Sequence, residues 1–203
     1  MTKTSSEGTT RRGATVTSVK IVVAGSFGVG KTTMVGAVSD IKPLTTDAMM
    51  TLASTNVDDI ARIPLKATTT VAMDFGRVEL DDDLLLYLFG TPGQERFWFM
   101  WDSLVRGAIG AVVVVDTRRL ADSFTSIDFF DNRGIPYVVV VNKFDGILHH
   151  PVESVRRAMA LDPAIPVVCC DARVRGEVKS VLLTLLEYAI SQSEEAHVEP
   201  TAV

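Results

Sequence analysis

The sequence predicts an α/β domain whose mostly parallel, six-stranded sheet has one antiparallel edge strand and helices on both faces. Apolar runs bounded by turn residues recur along the chain, and stretches that can form helices separate most of them. Five of these runs are predicted strands: Val19–Ala24, Leu84–Phe89, Ala108–Asp116, Ile135–Asn142 and Pro166–Cys170. Two of them contain four consecutive valines, at 112–115 and 138–141, which is typical of central parallel strands that helices cover on both faces.

The remaining elements lie beside this alternating pattern. Val71–Leu80 carries charged residues and is separated from the next strand only by the turn Asp81–Asp83, which predicts an antiparallel edge hairpin. The last helix, about Glu177–Gln192, has one apolar stripe and is therefore expected to pack on the sheet. Asp40–Thr69 is long and poorly periodic, which predicts a functional or mobile loop.

The composition predicts one domain with two tails. The chain has 203 residues, of which 47% are hydrophobic and 22% are charged, and this is enough for one well-developed core. Residues 1–17 are rich in serine, threonine and glycine, and residues 193–203 are polar and acidic. We therefore expect a flexible tail at each end of a domain that spans residues 18–192.

Charge and cysteine usage narrow the classes of partner. A net charge of −5 and a pI near 5.2 argue against nucleic acid. Cys169 and Cys170 lie in an apolar run and are expected to be buried thiols in a reducing cytoplasm. Thr2 stands where myristoylation requires glycine, and no apolar run reaches the roughly eighteen residues that span a bilayer. Without a lipid anchor, recruitment to the inner face of the membrane is expected only through partners.

A glycine-rich loop follows the first predicted strand and precedes a helix-like stretch from Thr33 to Ser39. Its backbone can surround a polyphosphate with N–H donors. Lys31 is expected to lie between the terminal phosphates, Thr32 to give its hydroxyl to Mg2+, and the helix at Thr33 to present its positive N-terminal end. The predicted nucleotide-binding residues of this complete motif are Gly25, Phe27, Gly28, Val29, Gly30, Lys31, Thr32 and Thr33.

A second motif, Asn142-Lys143-Phe144-Asp145, ends a buried predicted strand and favours guanine over adenine. The Asp145 carboxylate can accept hydrogen bonds from both the ring N1–H and the exocyclic amine of guanine, a pair that adenine lacks. Lys143 can lay its aliphatic stem on the base. Asn142 is expected to tie this loop to the phosphate-binding loop.

With a third motif, Gly90-Thr91-Pro92-Gly93-Gln94-Glu95-Arg96-Phe97, the chain resembles the Ras-like small GTPases from about Val19 to Gln192. The resemblance implies a P-loop GTPase domain in which Gly93 donates its N–H to the γ-phosphate and Gln94 orients the attacking water. It also implies that Thr70, with Thr68 and Thr69 as rival candidates, closes on Mg2+ when triphosphate is bound.

By the same resemblance, Cys170–Arg173 stands where the family has Ser-Ala-Lys. The implied base site then includes Asp171, Ala172 and Arg173. The Ala172 N–H would be offered to the guanine O6, and Arg173 would stack nearby.

More narrowly, Thr68–Gly76 together with Gly90–Gln94 is similar to the bacterial Ras-like GTPases encoded beside roadblock-type proteins, notably the conservon GTPases of actinobacteria. This resemblance implies a GTP-controlled switch in signal transduction, with a roadblock-type regulatory protein and a sensor-kinase complex as partners. The alternative is a non-catalytic guanine-nucleotide-binding scaffold of such a complex. An ATP-dependent phosphotransferase or motor is a third class, which the motif at 142–145 disfavours.

Two departures from the family pattern bear on the metal and on the reaction. Gly90 stands where most relatives have the aspartate that holds Mg2+ through a water, and we hypothesise that Asp74 replaces it. The alternative for Asp74 is a solvated edge-strand carboxylate. Phe27 stands where many relatives have a small residue, so we expect crowding near the γ-phosphate and a slow reaction without a partner. The alternative for Phe27 is packing over the switch loops.

Two further features have two interpretations each. Arg62 lies in the long loop before Thr70 and is a candidate arginine supplied in cis to the catalytic site, the alternative being a solvated surface residue. The aromatic cluster Phe97–Trp101 follows Gln94 and predicts either a partner-binding surface or partial burial under the sheet.

Overall fold

A computed structural model describes residues 16–51, 68–81 and 83–198 of the chain. In these ranges the strands are β1 (Thr17–Ala24), β2 (Leu44–Thr51), β3 (Thr68–Asp81), β4 (Leu84–Gly90), β5 (Ala108–Val115), β6 (Tyr137–Asn142) and β7 (Val167–Cys170). The α-helices are α1 (Lys31–Val38), α2 (Trp101–Leu104), α3 (Phe124–Asp131), α4 (Val152–Ala158) and α5 (Arg175–Val198). Short 3-10 helices cover Glu95–Met100, Thr117–Ser123 and Phe144–Gly146.

The strands form one sheet in the order β2-β3-β4-β1-β5-β6-β7. β3 is antiparallel to both of its neighbours, and the other pairings are parallel. The predicted α/β architecture with a mostly parallel sheet is therefore confirmed.

Helices cover both faces of the sheet because the central strands are apolar on both sides. The side chains of Ile21 and Val23 pack with α1 and α5 in one fully buried cluster. Those of Val22 and Ala24 pack with α2, α3 and α4 in the other. The alternation of neighbouring residues between two cores explains why the strands consist of continuous apolar runs.

The topology places five connections at the same end of the sheet, where its parallel strands have their carboxyl ends. The parallel strands β1, β4, β5, β6 and β7 all end there, at Ala24, Gly90, Val115, Asn142 and Cys170. Ligand sites of parallel sheets lie outside the carboxyl ends of the strands. The three motifs found in the sequence follow β1, β4 and β6, so the fold places them side by side.

The edge of the sheet differs from the prediction. Leu44–Thr51 forms an additional strand and pairs with β3, so the described sheet has seven strands rather than six and β3 is not its edge. This strand lies inside the predicted loop Asp40–Thr69, and residues 52–67 lie outside the described part of the chain. This strand was not predicted because its composition is polar, with Thr45, Thr46 and Asp47. Its pairing with β3, rather than an apolar run, defines it.

Two other expectations need correction. Helix α5 ends at Val198 rather than near Gln192, and thus enters the segment predicted as a carboxyl-terminal tail. Cys170 is buried as expected, but Cys169 is exposed, because successive residues of β7 face opposite sides of the sheet. Among the residues described, no helix combines the length and the apolar character needed to cross a membrane.

Candidate functional site

The loop between β1 and α1 has a backbone that only glycine allows at its two ends. Gly25 and Gly30 have φ angles of 138° and 108°, in a region that side chains disfavour. A Cβ on Gly25 would lie 2.4 Å from the Val114 carbonyl oxygen, and one on Gly30 would lie 2.6 Å from Nδ2 of Asn142. The glycines thus let the loop fit tightly between β5 and the end of β6, with α1 starting directly behind it.

Lys31, the first residue of α1, is held inside this loop. Its side chain is only 8% exposed, and its Nζ donates to the carbonyl oxygens of Gly25 at 2.9 Å and Ser26 at 2.8 Å. Burial lowers the pKa of Lys31 to about 8, and the nearby Asp74 carboxylate opposes part of that effect. A buried, preorganised ammonium of this kind is suited to contact phosphate oxygens.

Thr32, Asp74 and Gly90 form a compact set on three different elements. The Thr32 hydroxyl donates to Oδ2 of Asp74 at 2.6 Å, and the Asp74 side chain is 8% exposed. A Cβ on Gly90 would lie 3.0 Å from the Asp74 Cβ and 3.1 Å from Oδ2. The carboxylate on β3 therefore occupies the space into which a side chain at the end of β4 would project.

The third motif lies directly against the phosphate-binding loop. A Cβ on Gly93 would lie 2.7 Å from Nζ of Lys31 and 2.9 Å from the backbone nitrogen of Phe27. Gln94 follows at an exposed position. Two hydrogen bonds hold the segment in place: Thr91 donates its N–H to the Val23 carbonyl at 2.9 Å, and the Trp101 indole donates to the Pro92 carbonyl at 3.3 Å.

A cavity of about 410 Å3 lies between these two segments. It has the size expected of a small-ligand site. Its walls are Phe27, Gly28, Gly30, Lys31, Thr32, Thr33, Asp74, Thr91, Pro92, Gly93, Gln94 and Phe97. The lining therefore unites the predicted phosphate-binding, metal-binding and water-orienting residues, apart from Gly25, Val29, Thr70 and Arg62.

The loop after β6 is joined to the phosphate-binding loop, as predicted, through Asn142. Its Nδ2 donates to the Val29 carbonyl at 2.9 Å, and its Oδ1 accepts from the Ala172 N–H at 3.1 Å. One amide thus holds together the loops after β1, β6 and β7. The resemblance implied that the Ala172 N–H is offered to a base, but in this structure Asn142 engages it.

A second cavity, of about 240 Å3, opens on the far side of the same loop. Its walls are Gly28, Gly30, Thr33, Asn142, Lys143, Phe144, Asp145, Asp171, Ala172 and Arg173. The two cavities share Gly28, Gly30 and Thr33. A ligand with a polyphosphate at one end and a planar group at the other can therefore extend across the loop from one cavity to the other.

Ion pairs fix the polar groups of this second cavity. Lys143 pairs with Glu177 at 2.8 Å, and Glu177 also accepts the Asp171 N–H at 2.8 Å. Arg173 donates two hydrogen bonds to Asp171, at 2.9 and 2.8 Å, and these bonds lower the pKa of Asp171 to about 2. Asp145 has a left-handed backbone, with φ at 56°, and its side chain is 88% exposed. Its carboxylate therefore remains accessible to a ligand.

Two arginines that follow β5 lie at the same end of the sheet, and neither was predicted from the sequence as a site residue. Arg118 donates to both oxygens of Asp116 and lies over the Phe144 ring at 3.9 Å. Arg119 turns the other way, and its Nη2 donates to the Phe27 carbonyl at 2.7 Å. The only available signal was their position directly after a predicted buried strand. Glu177 was missed as well, because its partners lie in two other connections.

The three threonine candidates for closing on Mg2+ do not line either cavity. Thr70 lies within β3 and pairs with Met49 of β2, and Thr68 and Thr69 lie in the same paired segment. At about 3.3 Å per residue, the Thr70 backbone is roughly 13 Å along the strand from Asp74. Arg62 lies outside the described residues. Its role, like that of Thr70, stays a prediction.

The structure separates the aromatic cluster after Gln94 into two parts. Phe97 and Trp101 are buried, and Trp101 packs edge-on against Phe129. Phe99 is 54% exposed, and Phe27 across the cavity is 67% exposed. The Phe27 ring is thus largely exposed in this structure, and its packing over the switch loops stays a prediction.

A family profile described as "Conserved hypothetical ATP binding protein" matches residues 23–192. An uncharacterized protein of Methanocaldococcus jannaschii is 33% identical over 129 residues, which cover 63% of this chain and 71% of that protein. The Ypt/Rab-type GTPase ypt7 of Pyricularia oryzae is 25% identical over 87% of this chain and 84% of its own length. The Ras-related protein RABD1 of Arabidopsis thaliana is 28% identical over 58% of this chain and 62% of its own length.

Solved structures show the same fold. The G domain of the T. maritima FeoB iron transporter superposes with a TM-score of 0.60 at 17% identity, covering 85% of this chain and 99% of that one. The Arl6 BBS3 small GTPase of Trypanosoma brucei, solved with a bound nucleotide analogue GppNp, has a TM-score of 0.60 at 16% identity, covering 87% of this chain and 99% of that one. The chain thus belongs to the family of conserved hypothetical ATP binding proteins and resembles the Ras-like small GTPases in sequence and fold.

Proposed function

We propose that this chain is a guanine-nucleotide switch that binds GTP and GDP, slowly hydrolyses GTP, and acts in bacterial signalling with a roadblock-type regulator. The observation that carries the proposal is the pair of cavities that share Gly28, Gly30 and Thr33. One is lined by a buried lysine and a glycine-rich loop, as a triphosphate requires, and the other by the groups that a guanine ring would contact.

The choice of guanine depends on Asp145. Its exposed carboxylate can accept two hydrogen bonds from guanine, whereas adenine presents no matching pair of donors at the same edge. A site built to satisfy two such donors rejects a ligand that lacks them by several orders of magnitude. The relative ypt7 is named as a Ypt/Rab-type GTPase, and the Arl6 small GTPase was solved with GppNp, which supports the same choice.

The family description, which mentions ATP, makes ATP the second candidate ligand. Competition between labelled GTP and unlabelled ATP distinguishes the two. We expect ATP to displace GTP only at concentrations at least about a thousandfold above those of unlabelled GTP. Displacement by ATP at concentrations similar to GTP would refute guanine selectivity, and Asp145→Ala should abolish whatever preference the wild type shows.

The residues around Thr32 fit a Mg2+ ion. The threonine hydroxyl and the Asp74 carboxylate lie 2.6 Å apart at the edge of the phosphate cavity, and hydroxyl and carboxylate oxygens are the ligands that this ion prefers. We infer that Thr32 and Asp74 would hold it, with Asp74 in place of the family's aspartate at position 90. When bound, Mg2+ neutralises charge on the phosphates.

Hydrolysis is assigned to the third motif. Gly93 lies against Lys31 and the Phe27 nitrogen, so its N–H is close to the place where the terminal phosphate would lie. Gln94 is the next residue, and its amide can both donate to and accept from an attacking water. The exposed Phe27 ring is at the rim of the same cavity, consistent with a slow reaction until a partner reorganises this region.

Single-turnover GTP hydrolysis with Mg2+ tests the switch against the scaffold alternative. Wild type and Gln94→Ala are compared alone and with a roadblock-type protein. A Gln94-dependent rate that the partner changes is the expected result. Tight guanine-nucleotide binding without Gln94-dependent turnover in either condition would leave only the non-catalytic scaffold of a sensor-kinase complex. We also propose a cytoplasmic location, which rests on the cysteine usage of the sequence, with recruitment to the inner face of the membrane only through partners.

A further inference from the structure

The 3-10 helix after β5 points two neighbouring arginines at different parts of the site. Asp116 accepts hydrogen bonds from Nε of Arg118 at 2.9 Å and from its Nη2 at 2.8 Å, and the same guanidinium lies over the ring of Phe144 beside the base cavity. Arg119 has φ −141° and ψ 47°, which interrupts the helix. Because of this interruption, its side chain leaves in another direction and reaches the phosphate-binding loop.

The Arg119 guanidinium lies over the outer side of that loop. Its Nη2 donates to the Phe27 carbonyl at 2.7 Å, and a Cβ on Gly28 would lie 3.7 Å from the same nitrogen. Nη1 is 3.6 Å from the Asp122 carboxylate, so a second contact restrains the group. Phe27 and Gly28 both line the phosphate cavity. The cation is therefore held against two residues that line the cavity expected to hold the terminal phosphates.

The charge and the geometry suit a role in the reaction rather than only in folding. A guanidinium carries five N–H donors, and the contacts described involve two of its nitrogens. The side chain is 49% exposed, so about half of its surface is not covered by packing. A purely structural tie to one carbonyl would not require a cation beside an anion site, where its charge adds to that of Lys31.

We propose that Arg119 is an arginine supplied by the chain itself to the transition state of GTP hydrolysis. The inference rests on the proposed function. In the reaction the oxygen of water bonds to the γ-phosphorus while the bond from that phosphorus to the β–γ bridging oxygen breaks. The water proton passes to the released phosphate, and GDP and inorganic phosphate leave. Arg119 stays protonated and stabilises the negative charge that develops on the bridging oxygen.

The test compares Arg119→Ala and Arg119→Lys with wild type in two assays, GDP affinity and single-turnover GTP hydrolysis. Arg157→Ala is the control, because Arg157 is an exposed arginine on α4, away from both cavities. We expect Arg119→Ala to lower the hydrolysis rate by roughly a hundredfold or more. GDP affinity should change by no more than about fivefold, as for one exposed charge. Arg119→Lys should recover part of the rate.

A second readout separates transition-state stabilisation from loop positioning. Aluminium fluoride with GDP mimics the transferring phosphoryl group, and wild type should bind the pair together, whereas Arg119→Ala should bind GDP alone. A parallel loss of GDP affinity and hydrolysis in Arg119→Ala would assign Arg119 to holding the loop and overturn the inference. An unchanged rate would overturn it too, and a loss in Arg62→Ala instead would assign the role to that residue.

Failure of the proposed function gives a different pattern. A wild-type protein that binds no guanine nucleotide, or binds it without Gln94-dependent turnover, would refute the switch and this inference together. A Gln94-dependent wild type whose rate is insensitive to residue 119 would refute this inference alone.

Discussion

Exchanging Asp74 and Gly90 between their strands tests whether one carboxylate site has moved from β4 to β3. A Cβ at position 90 would lie 3.0 Å from the Asp74 Cβ and 3.1 Å from Oδ2, so Gly90→Asp overfills the site and places two carboxylates together. Asp74→Gly empties the same space. Glycine is needed at 74 because an alanine Cβ would still be 3.0 Å from the new one. The double variant Asp74→Gly/Gly90→Asp should accommodate one carboxylate again.

The magnitudes follow from these contacts. Overfilling a packed site costs about 1–3 kcal/mol of unfolding free energy. Asp74→Gly removes the 2.6 Å hydrogen bond from Thr32, and bonds to charged groups contribute about 1.5–3 kcal/mol. We expect the double variant to be more stable than the sum of the two single changes by at least about 1 kcal/mol. Each single variant should weaken Mg2+ binding in the presence of GTP by roughly 10- to 100-fold.

Two assays complete the cycle. Urea unfolding of the nucleotide-free proteins gives the stability coupling, and Mg2+ titration of GTP affinity gives the metal coupling. Glu79→Gly, an exposed change on the same strand, measures the cost of glycine in β3, which is about 0.5–1 kcal/mol. Additive stabilities combined with no recovery of Mg2+ binding in the double variant would show that positions 74 and 90 do not share one carboxylate site.

Four other predictions concern single residues. Burial lowers the pKa of Lys31 from 10.5 to about 8, so between pH 8 and 10.5 the unfolded chain binds more protons than the folded one. Nucleotide-free wild type should therefore gain stability relative to Lys31→Met as the pH rises through this range. A difference in Tm between the two proteins that does not change with pH would contradict this. Glu177→Gln should weaken GDP binding roughly three- to tenfold by loosening Lys143 and the Asp171 amide, whereas the exposed Glu187→Gln on the same helix should not; displacement of labelled GDP measures both. A thiol reagent should modify only the exposed Cys169 of the native chain, because Cys170 is buried and burial raises its pKa to about 12. Cys169→Ser should therefore prevent the modification. Modification of both thiols would show that β7 opens. Phe27→Gly should raise the partner-stimulated hydrolysis rate, and an unchanged rate would exclude steric blocking by the ring.

Features that depend on one continuous stretch of sequence were the predictable ones. The valine runs of β5 and β6 are apolar on both faces, and this requires a central position whatever surrounds them. The phosphate-binding loop combines its glycines, lysine and threonine within eight residues. Asp74 was a candidate for holding Mg2+ because Gly90 stands where the family has a carboxylate. The hydrogen bond between Thr32 and Asp74 is the contact that this hypothesis requires.

Features that depend on contacts between distant segments were not predictable. Strand β2 is polar and exists through its pairing with β3. Arg119 contacts Phe27 only because the strand order brings the ends of β1 and β5 together. Glu177 joins the connections after β6 and β7 from the first turn of α5. In each case the residue type is ordinary, and a partner elsewhere in the chain gives it a role; Arg119 and Phe27, for example, are 92 residues apart.

The position of Thr70 in the β2–β3 pairing has a consequence for the energy of switching. Its backbone is a rung of an antiparallel ladder opposite Met49, with Thr68 and Thr69 as the neighbouring rungs. A threonine that must reach a metal beside Thr32 has to leave this ladder first, and each backbone hydrogen bond given up costs a net of about 0.5–1.5 kcal/mol. If one of these threonines closes on Mg2+ as proposed, the sheet competes with the nucleotide for it. Substitutions in β2, distant from any phosphate, would then set how much of the bound protein is in its active state.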